Sequence, residues 1–195
     1  MRIFIMVIII ISLQNINCGT KNNLNEFPEL VFRYDKSLLS SPSNFENLSL
    51  SIPLNFEKVS GDKYQSIEKK LEANEDSYFD KDILSIYQHQ DGHVIIISKI
   101  NDLKNIYGRL NKDFELGLIE VLGASETNRG QFLIDNQETV QFITTNANFV
   151  NYKLFYNALN NNCYHIDYFI PLNKFVRFQP SIEASISTFK IKKWD

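Results

Sequence analysis

Only two cysteines, Cys18 and Cys163, occur in the 195 residues, so a disulfide framework is excluded as the source of stability. Glycine (seven) and proline (five) are too few for a collagen-like or low-complexity chain. Positive charge is not in excess: 20 Lys and Arg against 23 Asp and Glu give a net charge of −3, with no basic stripe. That excludes a nucleic-acid binder and adhesion to anionic lipid through surface charge. No apolar run reaches the ~20 residues that a membrane-spanning helix needs. No phosphate loop, Gly-x-Ser-x-Gly elbow or His-Glu-x-x-His pair is present.

What the chain does have is aromatic mass, 15 Phe and 9 Tyr, which implies packed sheet and helix rather than disorder. A domain of about 150 residues buries about 68–70% of its unfolded surface, enough for a core without staples.

The N-terminus carries an address. Arg2 precedes an apolar run from Ile3 to Leu13, and Gln14-Asn15-Ile16-Asn17 breaks it before Cys18-Gly19-Thr20. One cation, a short apolar segment and a polar break form the pattern of an export signal. A cysteine at that point resembles the lipobox of bacterial lipoproteins, in which the thiol is lipidated and becomes the new N-terminus. Asn15 and Asn17 depart from the Leu and the small residue that the box prefers. The resemblance implies lipidation at Cys18 and attachment to the membrane through that anchor, because several acyl chains together suffice for stable anchoring. No acidic pair follows Cys18, so the expected location is the periplasmic face of the outer membrane in the cell envelope. Cys163 is expected to be a small apolar strand residue.

The expected organisation is a signal over residues 1–17, a tether over 18–47 that docks partly on the domain, and a single α+β domain over 48–195. Leu48, Leu50 and Ile52 alternate with polar partners and run into Pro53, which predicts a first strand. Tyr64, Ile67 and Leu71 predict a short amphipathic helix. Two β-rich runs flank Asp91-Gly92 between Ile83 and Ile100, and predict a hairpin closed by a two-residue type I′ turn. Leu103, Ile106, Leu110 and Phe114 predict a helix capped by Asp102, followed by a looser segment over 117–131 that contains Arg129-Gly130. Three alternating runs, centred on Phe142, Leu154 and Ile166, predict an antiparallel meander. Pro180-Ser181 opens a last helix bearing Ile182, Ile186 and Phe189, with Lys190, Lys192 and Lys193 near its negative end. The fold class is therefore α+β, an antiparallel β-sheet flanked by helices in an α/β/α sandwich.

Three stretches make this layout resemble the PsbP/Mog-like fold: the opening strand Leu50 to Phe56, the meander Val140 to Ile170, and the small-residue helix Ile182 to Phe189. The resemblance covers residues 48 to 190. It implies a non-enzymatic accessory or assembly role with an unknown envelope protein as partner, and it supplies no functional residue.

Chemistry is sparse. His89, Asp91 and His93 surround one hairpin tip, with the two imidazoles expected to be diagonal neighbours. A solvated turn accounts for them, and no metal or other cofactor is expected. Cys163, His165 and Asp167 share one strand face but are expected to point the same way rather than at each other, so no catalytic set is expected. Phe155 or Tyr156 is the expected contact surface for the partner. The alternative function is a small-ligand or lipid carrier with a pocket between sheet and helix.

Overall fold

The computed structural model describes residues 28, 34–74, 79–101, 106–134, 137–158 and 162–191. The signal, Cys18, Asp102, Leu103, Lys192 and Lys193 lie outside them. Among the described residues no helix is long and apolar enough to cross a membrane.

A seven-stranded antiparallel sheet dominates. It comprises β3 (Phe56–Lys58), β4 (Lys81–His89), β5 (Val94–Ile100), β6 (Glu126–Ile134), β7 (Gln137–Thr145), β8 (Phe149–Ala158) and β9 (Asn162–Pro171), in the order β3-β4-β5-β9-β8-β7-β6. A second sheet is built from β1 (Leu39–Phe45), β2 (Leu48–Pro53) and β10 (Lys190–Ile191), with β2 central. Three helices longer than one turn complete the described part: α1 (Gly61–Asn74), α3 (Lys112–Leu122) and α4 (Phe175–Ser187), with the one-turn α2 (Ile106–Arg109) just before α3. The α+β class and the antiparallel meander β7-β8-β9 are as expected.

The structure departs from expectation at four places. Residues 39–45, expected within the tether, form β1 and pair with β2, so among the described residues the strands extend back to Leu39 rather than Leu48. The supposedly loose segment is the end of α3 followed by β6, with Arg129 on a strand. Asn111 caps α3 by accepting the Asp113 and Phe114 amides, and Gly123 ends it in the left-handed region at φ 57°. The last helix starts at Phe175 and carries Pro180 inside it, because a 3-10 turn at Leu172–Lys174 starts the coil earlier.

The β4–β5 turn also differs. His89 N–H donates to the His93 carbonyl at 2.9 Å, and Gly92 N–H donates to the His89 carbonyl at 3.0 Å. Gly92 has φ +88°, while Asp91 is not among the positive-φ residues. The loop is therefore three residues, Gln90-Asp91-Gly92, with glycine at the bulge position, rather than a two-residue type I′ turn. As a result His93 stands directly opposite His89, not diagonal to it.

The two faces of the large sheet are covered differently. On one lie α4 and the small sheet. Leu48, Leu50, Ile52, Ile182, Ile186 and Phe189 pack there against Ile97, Leu154, Tyr156, Tyr164, Ile166 and Tyr168. On the other, α3 covers Val140, Phe142, Phe155 and Cys163 through Phe114 and Leu118, joined by Leu110 just before the helix, while Tyr64 and Ile67 of α1 pack on Val59, Ile86 and Ile96.

Candidate functional site

Between those two helical patches the sheet floor is charged. Cross-strand register pairs Lys153 of β8 with Asp167 of β9, and Phe155 with His165. On the other side of β9, His165 pairs with Ser98 of β5. Residues two apart on a strand share a face, so Lys153, His165, Asp167, Asn151 and Ser98 all project toward the helices. All five are buried.

Asp167 is the hub. Its Oδ1 accepts from Lys153 Nζ at 2.9 Å and from Asn151 Nδ2 at 3.1 Å. Its Oδ2 accepts from Lys153 Nζ at 3.0 Å and lies 3.1 Å from His165 Nε2. Burial raises the Asp167 pKa, but His165, Lys153 and Lys81 around it outweigh that and hold the carboxyl below its usual range. Burial keeps the His165 ring neutral, well below its ordinary value. Whichever tautomer it adopts, His165 Nδ1 has no hydrogen-bond partner, and neither does the buried Ser98 Oγ on the facing strand.

The floor opens on a cleft lined by Lys81, Lys153 and His165 and walled by apolar side chains that include Phe79, Phe114, Leu118 and Phe155. Its volume is about 60 Å³. That holds a few waters or a carboxylate on a short apolar tail, and it is far below the roughly 300–1,000 Å³ of drug-sized sites. Lys81 comes from β4, and burial lowers its pKa to about 8, with the Lys153 charge adding to the effect. The His165 ring stacks on Phe155 at 4.6 Å, and Phe79 packs 5.6 Å from the Phe155 ring. Arg109 lies 4.8 Å above Phe79.

Several expectations change here. His165 and Asp167 do meet, because their side chains lean along the strand and close the gap between alternate positions. Cys163 is, by contrast, the buried strand residue expected; it donates its thiol to the Tyr164 carbonyl at 3.7 Å, and burial pushes its pKa far up and keeps it a thiol. Phe155 and Tyr156 are 1% and 0% exposed, which removes them as a partner-contact surface. His89 and His93 are 6% and 0% exposed, so the hairpin histidines are not a solvated turn. Lys81 and Lys153 were missed in the sequence. Their signal was a lysine on the inward face of two apolar strands, one of them directly across from an aspartate.

No family model and no curated protein matches the chain. Among solved structures it is similar to cyanobacterial PsbP (CyanoP) from Synechocystis sp. PCC 6803, at 11% identity over 89% of this chain and 98% of that one, with a TM-score of 0.49. It is also similar to LpqN, involved in cell envelope biogenesis of Mycobacterium tuberculosis, at 10% identity over 78% and 85%, with a TM-score of 0.47. A protein of Bacteroides thetaiotaomicron VPI-5482 follows at 11% identity over 77% and 47%, with a TM-score of 0.41. These likenesses describe outline only.

Proposed function

We propose that this chain is a membrane-tethered, non-enzymatic envelope protein whose helix-side cleft binds a small organic acid. The observation that carries the reading is a cleft with apolar walls and two lysines, Lys81 and Lys153, at its polar floor. A carboxylate placed there meets cations, and its short tail meets Phe79, Phe114 and Leu118. The cleft's size favours a small ligand over a whole lipid, and burial of Phe155 and Tyr156 weakens the reading as a protein-binding module.

A buried ion pair is weak evidence for stability, because desolvation offsets much of its Coulomb gain. The Lys153–Asp167 pair therefore makes better sense as a device that fixes a positive charge at the cleft floor. With Cys163 buried as a thiol and the Ser98 hydroxyl, across from His165, making no hydrogen bond to it, binding accounts for the site better than group transfer does.

Titration calorimetry of the full chain in detergent, with butyrate and hexanoate against their amides, tests the acid-binding reading. The acids are expected to bind and the amides are not, and Lys81→Gln is expected to weaken the acids at least tenfold. Equal binding of acid and amide, or no effect of Lys81→Gln, would reject it. The tether rests on Arg2, the apolar run and Cys18. Intact-mass measurement on the membrane fraction should show an acylated chain beginning at residue 18, and Cys18→Ala should release the protein into the soluble fraction. A Cys18→Ala protein that stays membrane-bound would count against the anchor.

A further inference from the structure

We propose that His89, Asp91 and His93, at the β4–β5 hairpin, form a site for a zinc-class divalent transition metal. It lies apart from the cleft and does not depend on it. The three-residue loop with its glycine bulge sets the two histidines directly across from each other, with ring centroids 5.2 Å apart and planes 65° apart. One donor atom from each of His89, Asp91 and His93 lies within 4.8 Å of the others. Ligands on such an ion sit at about 2.0–2.2 Å from it, so closure needs a shift of about 1 Å, which the exposed Asp91 side chain at the tip can supply by rotation.

His93 is the observation that points to a ligand. It is 0% exposed, and neither of its ring nitrogens has a hydrogen-bond partner. Leaving a buried polar group unmet destabilises the fold, and a metal bond would satisfy one nitrogen directly. The ring is also held in place. It stacks on Phe178 with centroids 3.7 Å apart and rings 25° from parallel, and Phe56 lies 6.2 Å away.

The other two ligands are suitably placed. His89 Nδ1 accepts the part-buried Asp91 amide at 3.1 Å, so its lone pair faces the turn tip, where a metal would take it over. Asp91 Oδ2 has Lys174 Nζ 3.9 Å away, so the carboxylate already faces a positive charge, which the metal would replace. His89 also lines an open polar depression with Gln88, Gln90 and Glu57, which gives an ion a route in. Two imidazoles and one carboxylate suit zinc, copper or nickel rather than calcium or magnesium, and three protein ligands leave a position for water.

Zinc alone, titrated into the chelator-stripped full chain in detergent, provides the test. One equivalent is expected to bind, with NMR shifts at the rings of His89 and His93 and none at His165. His93→Phe keeps a ring on Phe178 and retains Cys18, so any zinc held by that thiol is common to both proteins; this variant should lose the equivalent. Asp91→Asn lies at the exposed tip, where folding is not at stake, and should weaken zinc at least tenfold. The proposal is overturned if the native chain binds no zinc at the hairpin, if His93→Phe binds as the native chain does, or if Asp91→Asn leaves the affinity unchanged.

Discussion

The two faces of the seven-stranded sheet are made by the same strands and differ in kind. The α4 face is closed and continuous. Tyr156 stacks on Phe189 with centroids 3.5 Å apart and rings 8° from parallel. The Tyr168 hydroxyl lies 3.0 Å from Ser185 Oγ, which in turn donates to the Ser51 carbonyl at 2.6 Å. That serine ties the last helix to the second strand and the large sheet at once. On the opposite face α1 and α3 leave a gap, and the gap holds a lysine, an aspartate, a histidine and an asparagine that share their hydrogen bonds. Within one protein the closed face does the holding, while the interrupted face presents charge that packing alone does not require.

The sharpest way to break this contrast is Lys153→Met. It leaves Asp167 charged and buried against His165, and is expected to cost about 3–5 kcal/mol in urea denaturation. The double variant Lys153→Met with Asp167→Leu should recover most of that loss. If the single variant is harmless, the charged floor is not a paired unit. On the closed face, Ile166→Ala removes a fully buried side chain and should cost about 2–5 kcal/mol, with acid binding by the cleft retained in the folded fraction. Loss of binding at intact fold would mean that the two faces are not separable.

The smallest effect concerns Lys81. Its folded pKa of about 8 lies below the ordinary lysine value of 10.5, so between those values the unfolded chain binds more protons than the native one. Stability should therefore rise with pH across that window, by at most about 1.4 kcal/mol per pH unit. Comparing native protein with Lys81→Met isolates this contribution, since the tyrosines titrate in both. Identical slopes would place Lys81 in solvent rather than at the cleft.

Most of the fold was legible because strand period is a local property. Alternation at Leu48 to Ile52, Val140 to Thr144 and Val150 to Tyr156 marked three strands and their inward faces. β6 was not legible, since Glu126 to Gly130 carries no apolar alternation and becomes a strand only by pairing with β7. β1 was hidden for a similar reason: Ser40-Ser41-Pro42-Ser43 has little apolar content, and β2 supplies its partner. The start of α4 was obscured by Pro180, which marked a helix start by local preference but sits inside a coil begun at Phe175.

At the candidate sites the division is sharper. The sequence alone determined the α+β class and the presence of His165 and Asp167 on one strand face, because each follows from residue order within a few positions. Only tertiary structure decided that Lys153 stands across from Asp167, that Lys81 on a different strand reaches the same cleft, and that a three-residue loop turns His93 to face His89 and buries it on Phe178. Those outcomes depend on register and on helix placement, which are set by long-range pairing and packing. A one-residue shift in pairing would turn each of these side chains to the other face.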